Sequence, residues 1–329
     1  MIFIYPYDTI TSRRNNMTNP FPFSSDNKRY YTWNYYLRTQ FHEKLIKIAL
    51  DGGFSCPNRD GTCGSGGCIF CSEEGSGEFA QARTLDLIAQ YEAGKQQYQT
   101  KWPNCRGIAY FQNFTNTHGS IDKLKACFEP FLKLDDCAGI SIATRADALD
   151  HEKIAYLQNL TAYKPVWIEL GLQSTYDDTA EFINRGHSYQ TFLDTIDKLK
   201  DTDLKVVVHL INGLPNEPYE RMLNNAVRVG KLPIHGLKLH MLHILKNTRL
   251  AEFYKQHPFS ILSREAYISL IVDQLERIPA SIVIQRLTGD GRACDLIAPL
   301  WTADKKKVLN GIDQELARRD SWQGKYFSE

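Results

Sequence analysis

Six short runs of apolar, largely β-branched residues alternate along the chain with segments whose apolar positions recur at helical spacing. The runs at 45–50, 107–112, 139–144, 166–172, 205–211 and 237–243 predict strands. The segments at 85–98, 121–134, 152–160, 189–199 and 219–229 predict helices between them. In the fourth of these helices Phe192, Ile196 and Leu199 share a face behind Ser188, a residue type that caps a helix by accepting a hydrogen bond from a free N–H. The fifth opens after Glu217-Pro218, and proline is tolerated in a first turn.

Alternation of this kind predicts an α/β protein in which parallel strands are joined by right-handed crossovers. Six units, with no seventh or eighth before the pattern changes, predict a partial (β/α)6 TIM-like barrel open on one side. A C-terminal α/β extension follows, with a helix at 263–277, a strand at 281–287 and a helix at 305–319. The resulting division is a flexible lead-in at 1–30, the barrel at 31–250 and the extension packing on it at 251–329. Barrels of parallel strands carry their chemistry in the loops at the strands' carboxyl ends.

Composition adds bounds. The 329 residues, 43% hydrophobic and 23% charged, describe an ordinary globular protein with a sizeable core. The formal net charge of +1 leaves any nucleic-acid contact to a local patch. No apolar stretch reaches the roughly 18 residues needed to span a bilayer, and the opening MIFIYPY lacks the length and basic flank of a signal peptide. The expectation is a cytoplasmic protein, where clustered cysteines bind metal more often than they form disulfides. The first thirty residues show no periodicity, and Met17 is a candidate start.

The strongest chemical signal lies after the first predicted strand, where CPNRDGTCGSGGCIFC (56–71) places four of the eight cysteines in a Gly- and Asn-bearing loop. Three readings fit the spacing. Cys56, Cys68 and Cys71 can hold three irons of a 4Fe–4S cluster, leaving the fourth iron open. All four, Cys63 included, can enclose a structural zinc. All four can instead hold an iron–sulfur cluster that only transfers electrons. A zinc ribbon usually pairs two CxxC knuckles, and only Cys68–Cys71 is present here. Structural zinc also has no need of a barrel mouth. Phe70, between the paired cysteines, offers an aromatic face beside the metal.

The C-x11-C-x2-C spacing of Cys56, Cys68 and Cys71 resembles that of radical S-adenosylmethionine (SAM) proteins of the YhcC/YtqA-like group, distant relatives of the radical domain of Elongator's catalytic subunit. KIALDGGFSCPNRDG (47–61), AYFQNFTNTHG (109–119), IATRADAL (142–149), ELGLQS (169–174), INRGH (183–187), HLINGLPNE (209–217) and RLTGDGRACDLIAPLW (286–301) carry the likeness, in that order, across 36–301. Cys63 departs from the group's pattern and is expected to be a spectator. The resemblance implies a 4Fe–4S cluster and SAM as cofactors. SAM would be cleaved reductively to methionine and a 5′-deoxyadenosyl radical that takes hydrogen from the substrate. It implies a reducing partner such as flavodoxin or ferredoxin. Phe70 matches the aromatic near adenine, and Gly213, in the Gly-Leu-Pro that ends 211–215, matches a segment against which adenine packs. Gln112, Glu169 and Gln173 end or follow strands and can bond SAM's amino group or ribose; Glu169 and Gln173 can equally pair with polar neighbours inside the barrel.

The resemblance further implies a tRNA substrate, whose wobble uridine would be converted from 5-carboxymethylaminomethyl to 5-aminomethyl. Arg145, which with Thr144 and Asp147 follows the third strand, and Arg286, in a loop with Asp290 and Arg292, are the candidate carboxylate anchors. Seventeen tyrosines suit stacking of a flipped base, and Arg13, Arg14, Lys28 and Arg29 can track phosphates. Two alternatives stand beside this: radical chemistry on a small metabolite or protein, and a zinc-binding protein without catalysis. The scattered histidines (118, 187, 209, 235, 240 and 243) and the isolated Cys105, Cys127, Cys137 and Cys294 read as structural residues, and 305–307 as a solvated basic face. A chain beginning at Met17 is expected to fold and to bind iron like the full chain. Circular dichroism and iron analysis check this, and loss of either property refutes it.

Overall fold

The computed structural model describes residues 21, 23, 28–73, 75, 80, 84–289 and 291–328. Met17, Arg13, Arg14 and Asp290 lie outside them. The strands β1 (Leu45–Leu50), β2 (Arg106–Phe111), β3 (Cys137–Thr144), β4 (Val166–Gln173), β5 (Lys205–Asn212) and β6 (Gly236–Met241) pair in chain order, every pair parallel. The helices α2 (Leu87–Gln99), α3 (Ile121–Leu132), α4 (His151–Leu160), α6 (Tyr189–Leu199) and α7 (Tyr219–Gly230) fill the crossovers. Ser188 caps α6 as expected, its side chain accepting from Thr191 N.

Three features differ from the sequence expectation. The strand assigned to the C-terminal extension, Val283–Arg286, pairs parallel with β6 and is a seventh strand of the same sheet. Its four residues are too few to announce a barrel strand on their own. A helix that no clean apolar period announces, α1 (Trp33–Phe41), precedes the sheet. Within the expected loose lead-in, Phe21, Phe23 and Tyr30 are buried, and Lys28 and Arg29 pair with Asp313 and Asp320 near the C-terminus. Two smaller helices, α5 (Asp177–Phe182) and α8 (Arg249–Gln256), sit at the carboxyl-end loops. The short strand β7 (Ile244–Leu245) pairs antiparallel with Leu296–Ala298. The helices α9 (Arg264–Leu275) and α10 (Lys305–Arg318) pack beside the seventh strand.

Alternation sorts the strand residues into two faces. Ile46, Ile48, Leu50, Ile140, Ile142, Ile168, Leu170, Val206, Val208, Leu237 and Leu239 join the helices in the main core. The opposite, concave face begins with an apolar layer at the amino ends of the strands: Leu45, Ile108, Ala138, Trp167 and Val207. Helix α1 covers that layer with Leu37, Trp33, Tyr36 and Phe41, and the Trp33 ring meets Trp167 edge-on at 5.5 Å. One end of the half-barrel is thereby shut by hydrophobic packing, so anything entering must come from the carboxyl end. Trp167→Ala should cost about 3–5 kcal/mol of stability by leaving a cavity under α1. Tyr163→Ala, at a side chain 73% exposed, should stay within about 0.5 kcal/mol. Denaturant melts of the two variants check this, and equal losses would refute the plug.

Candidate active site

The cysteine loop leaves the carboxyl end of β1 and is stitched to its surroundings by backbone groups. Arg59 N donates to Cys56 O at 2.7 Å, Cys63 N to Pro57 O at 2.9 Å and Gly67 N to Asn58 O at 2.8 Å. The second half is tied outward: Ile69 N donates to Ile183 O after α5 at 3.0 Å, and Leu250 N in α8 donates to Ile69 O at 2.8 Å. The side-chain amide of Asn184 donates a hydrogen bond to Gly67 O at 2.7 Å. The loop is therefore positioned by two helices that lie far away in the sequence.

Cys56, Cys68, Cys71 and Phe70 line one open cavity of about 250 Å³ at the carboxyl ends of the strands. Cys63 is exposed and absent from that lining; its Sγ lies 3.7 Å from Arg145 Nη2 and 3.8 Å from Asp147 Oδ2. Among the described residues no three Cys, His, Asp or Glu side chains are gathered as for a single ion. A side-chain hydrogen bond to Cys71, burial and the nearby Cys56 push the Cys68 thiol up, so the three thiols stand close together. The donor set thus fits a three-thiolate cluster with Cys63 set apart.

The floor of the cavity is polar. Above the apolar layer, the next inward position of each strand supplies Lys47, Tyr110, Ser141, Glu169, His209, Lys238 and Gln285. Glu169 is fully buried, and both its oxygens are engaged. Oε1 accepts from Lys47 Nζ and from Ser141 Oγ at 2.6 Å; Oε2 accepts from Lys238 Nζ and from His209 Nε2 at 2.9 Å. Burial opposes its charge, but Lys238, Lys47 and His209 outweigh burial and hold the carboxyl well below its usual range. Burial together with the Lys238 charge lowers His209 to about 4, so at neutral pH its uncharged ring donates through Nε2–H. Burial draws the Lys238 ammonium well down, with Glu169 pulling the other way.

Gln112, Glu169, Gln173, Arg145 and Arg286 line the same cavity as the cysteines. Their roles differ from one another. Glu169 is saturated by protein donors, which is the second of the two readings its sequence position allowed. The Arg145 fork is filled by Asp147, with Nε to Oδ1 at 2.9 Å and Nη2 to Oδ2 at 2.6 Å, while Nη1 donates to Arg185 O at 2.6 Å. Its geometry serves the loop rather than an incoming anion. Gln173 adopts a φ of +62° at a bulge in β4, and a Cβ on Gly171 would stand 2.7 Å from its amide nitrogen. Gly213, with φ +92°, turns the chain after β5 and lines a second, smaller cavity with Leu242, Leu262 and Tyr267. Ile211 and Leu242, its near neighbours, face the main one. The sequence reading singles out none of Lys47, Tyr110 and Lys238, and it takes His209 and His240 as structural residues. Their signal was a charged or polar residue at the inward position of an otherwise apolar strand, as in LIKIAL, VVVHLI and GLKLHM.

Comparison with known proteins bears on this geometry. Residues 61–226 match the radical SAM superfamily model, and residues 234–318 match the model of the radical SAM C-terminal domain. The chain is 46% identical over 309 residues to the uncharacterized protein YtqA of Bacillus subtilis, covering 94% of this chain and 96% of that protein. It is 32% identical to the protein YhcC of Escherichia coli K12, covering 85% and 90%. The solved archaeal Elp3 of Methanocaldococcus infernus, with its N-terminus deleted, superposes with a TM-score of 0.65 at 17% identity, over 85% of this chain and 64% of that one. The shared fold is the curled, parallel half-barrel, and no helix among the described residues is long and apolar enough to cross a membrane. Sequence and fold together place the chain in the radical SAM superfamily.

Proposed function

We propose that this radical SAM enzyme binds a 4Fe–4S cluster through Cys56, Cys68 and Cys71 and acts on the wobble uridine of tRNA, converting a 5-carboxymethylaminomethyl group to 5-aminomethyl. The observation that carries the cluster assignment is the joint lining of one cavity by those three cysteines while Cys63 faces Arg145 and Asp147 outside it. The tRNA assignment is supported by the ordered motifs shared with the YhcC/YtqA-like group.

When bound, the cluster and SAM together supply a carbon-centred radical that takes a hydrogen atom from the substrate. The chain's own residues position and shield. Phe70 presents a ring beside the cysteines. Gln112 and Gln173 bring neutral amides to the strand ends, where they can bond a cofactor's amino or hydroxyl groups. The apolar layer under α1 closes the far end of the half-barrel to water. Reduction needs a small electron carrier of the flavodoxin or ferredoxin kind.

After anaerobic reconstitution, the protein with SAM and dithionite should form 5′-deoxyadenosine. Replacing Cys56, Cys68 or Cys71 by serine should abolish that product and lower bound iron, whereas Cys63→Ser should keep its iron. Loss of iron from Cys63→Ser but not from Cys56→Ser would overturn the ligand assignment. For the substrate, tRNA from cells lacking this protein should accumulate 5-carboxymethylaminomethyluridine at the expense of 5-aminomethyluridine and its products. An unchanged nucleoside profile by mass spectrometry removes the tRNA assignment and leaves the cluster assignment standing.

A further inference from the structure

The polar floor sets two lysines against one buried carboxylate. Lys47 and Lys238 face one carboxylate, that of Glu169, and the guanidinium of Arg286 lines the same cavity and acts on both lysines. Lys47 also spends a hydrogen bond on Gln285 Oε1 at 2.8 Å. Lys238 is 3% exposed, and beyond Glu169 its ammonium has only the Tyr110 hydroxyl at 3.4 Å and the Tyr110 ring face, 4.8 Å from the centroid. An ammonium offers three donors, and the hydroxyl at 3.4 Å lies beyond the usual range for a good bond. One buried donor of Lys238 is therefore poorly used. Two residues further along β6, His240 Nε2 is buried with no partner. Its ring lines the cavity and stands 5.4 Å from that of His209.

A buried ammonium with a poorly used donor, next to a buried ring nitrogen without a partner, is unfavourable until an acceptor arrives. The cavity is the one that the three cysteines line, so whatever reaches this floor stands beneath the reactive chemistry. The geometry points to Lys238 and His240 as the seat of a carboxylate: they lie two residues apart on β6, line the same cavity, and can each donate to one of its oxygens. The substrate of this enzyme is accordingly an acid whose carboxylate enters first and whose reacting carbon lies above it, toward the cysteines. This deepens the proposed reaction, whose substrate carries a carboxymethyl group, and assigns the anchoring to the barrel floor instead of to Arg145, whose fork Asp147 fills. The methionyl carboxylate of SAM is a second source of the same group, and the test separates the two.

The cluster-loaded protein, saturated with SAM under anaerobic conditions, is titrated with 13C-labelled acetate and with acetamide, its neutral isostere, and binding is read by NMR line width. No turnover and no tRNA are involved, so failure here is distinct from an unchanged nucleoside profile. Acetate should bind at least about tenfold more tightly than acetamide, and that preference should vanish in Lys238→Met and fall in His240→Ala. Lys238→Met leaves Glu169 paired with Lys47, Ser141 and His209; should it fail to fold, His240→Ala, which touches no ion pair, carries the same test. The ratio of affinities for SAM and decarboxylated SAM should be the same in the variants as in the unaltered protein. Equal binding of acetate and acetamide overturns the seat, as does a preference that both variants retain. A SAM to decarboxylated SAM ratio that collapses in the variants assigns the seat to the cofactor and overturns its role in substrate binding.

Discussion

The buried carboxylate of Glu169 is the constraint on which the interior of this half-barrel depends. Taking a carboxylate out of water costs several kcal/mol, and removing one partner of such a buried pair typically costs about 3–5 kcal/mol more than the intact arrangement. The site meets that demand with donors from four other strands: Lys47 on β1, Ser141 on β3, His209 on β5 and Lys238 on β6. Lys47 reaches on to Gln285 on the seventh strand, and Lys238 to Tyr110 on β2. Side chains from all seven strands thus meet in one layer. The Lys47–Gln285 bond joins β1 and the seventh strand, the two edges of a sheet that no backbone pairing closes. A curled sheet is required for those two side chains to meet at all.

That layer divides the cavity by function. Below it, Trp167, Leu45 and Val207 under α1 form a dry plug that only packing holds. Above it, the loops at the carboxyl ends carry the cysteines and the neutral amides of Gln112 and Gln173. The cysteine loop is anchored by the segment after α5 and by α8, neither of which supplies a sulfur ligand. Rigid placement of the three thiols therefore depends on residues such as Asn184 and Ile183 that have no chemistry of their own. The same division explains why Arg145 and Cys63 belong together. Arg145 is spent on Asp147 and on the carbonyl of Arg185, and it holds the outer turn of the loop against β3.

Much of this was legible in the chain. The β1 run has the bounds expected, because LIKIAL, five apolar residues and Lys47, lies between the charged Lys44 and Asp51. Ser188 announces α6 because its side-chain oxygen can accept from a free N–H group of the helix start. The seventh strand was misplaced in the extension, since four residues at 283–286 read alike in a barrel or beside one. Helix α1 was missed because its apolar residues are aromatic and its buried face is narrow, with Leu37 alone fully covered. Of the 211–215 segment that the resemblance sets against adenine, Ile211 lines the main cavity, whereas Gly213 lines the smaller second one.

By itself, the sequence determined the parallel alternation of strands and helices, the position of the cysteine loop after β1, and the C-x11-C-x2-C spacing of Cys56, Cys68 and Cys71. These follow from local periodicity and from the short reach of a flexible loop, both properties of neighbouring residues. The tertiary structure alone decided that Lys47, Glu169, His209 and Lys238, spread over 192 positions, share one buried layer, and that Cys63 stays out of the cavity lining its three neighbours share. A lone charge inside an apolar strand can be seen in a sequence, but its partner cannot. Which charges meet depends on how far the sheet curls and which edge its last strand joins, and both are set by packing between residues far apart in the chain.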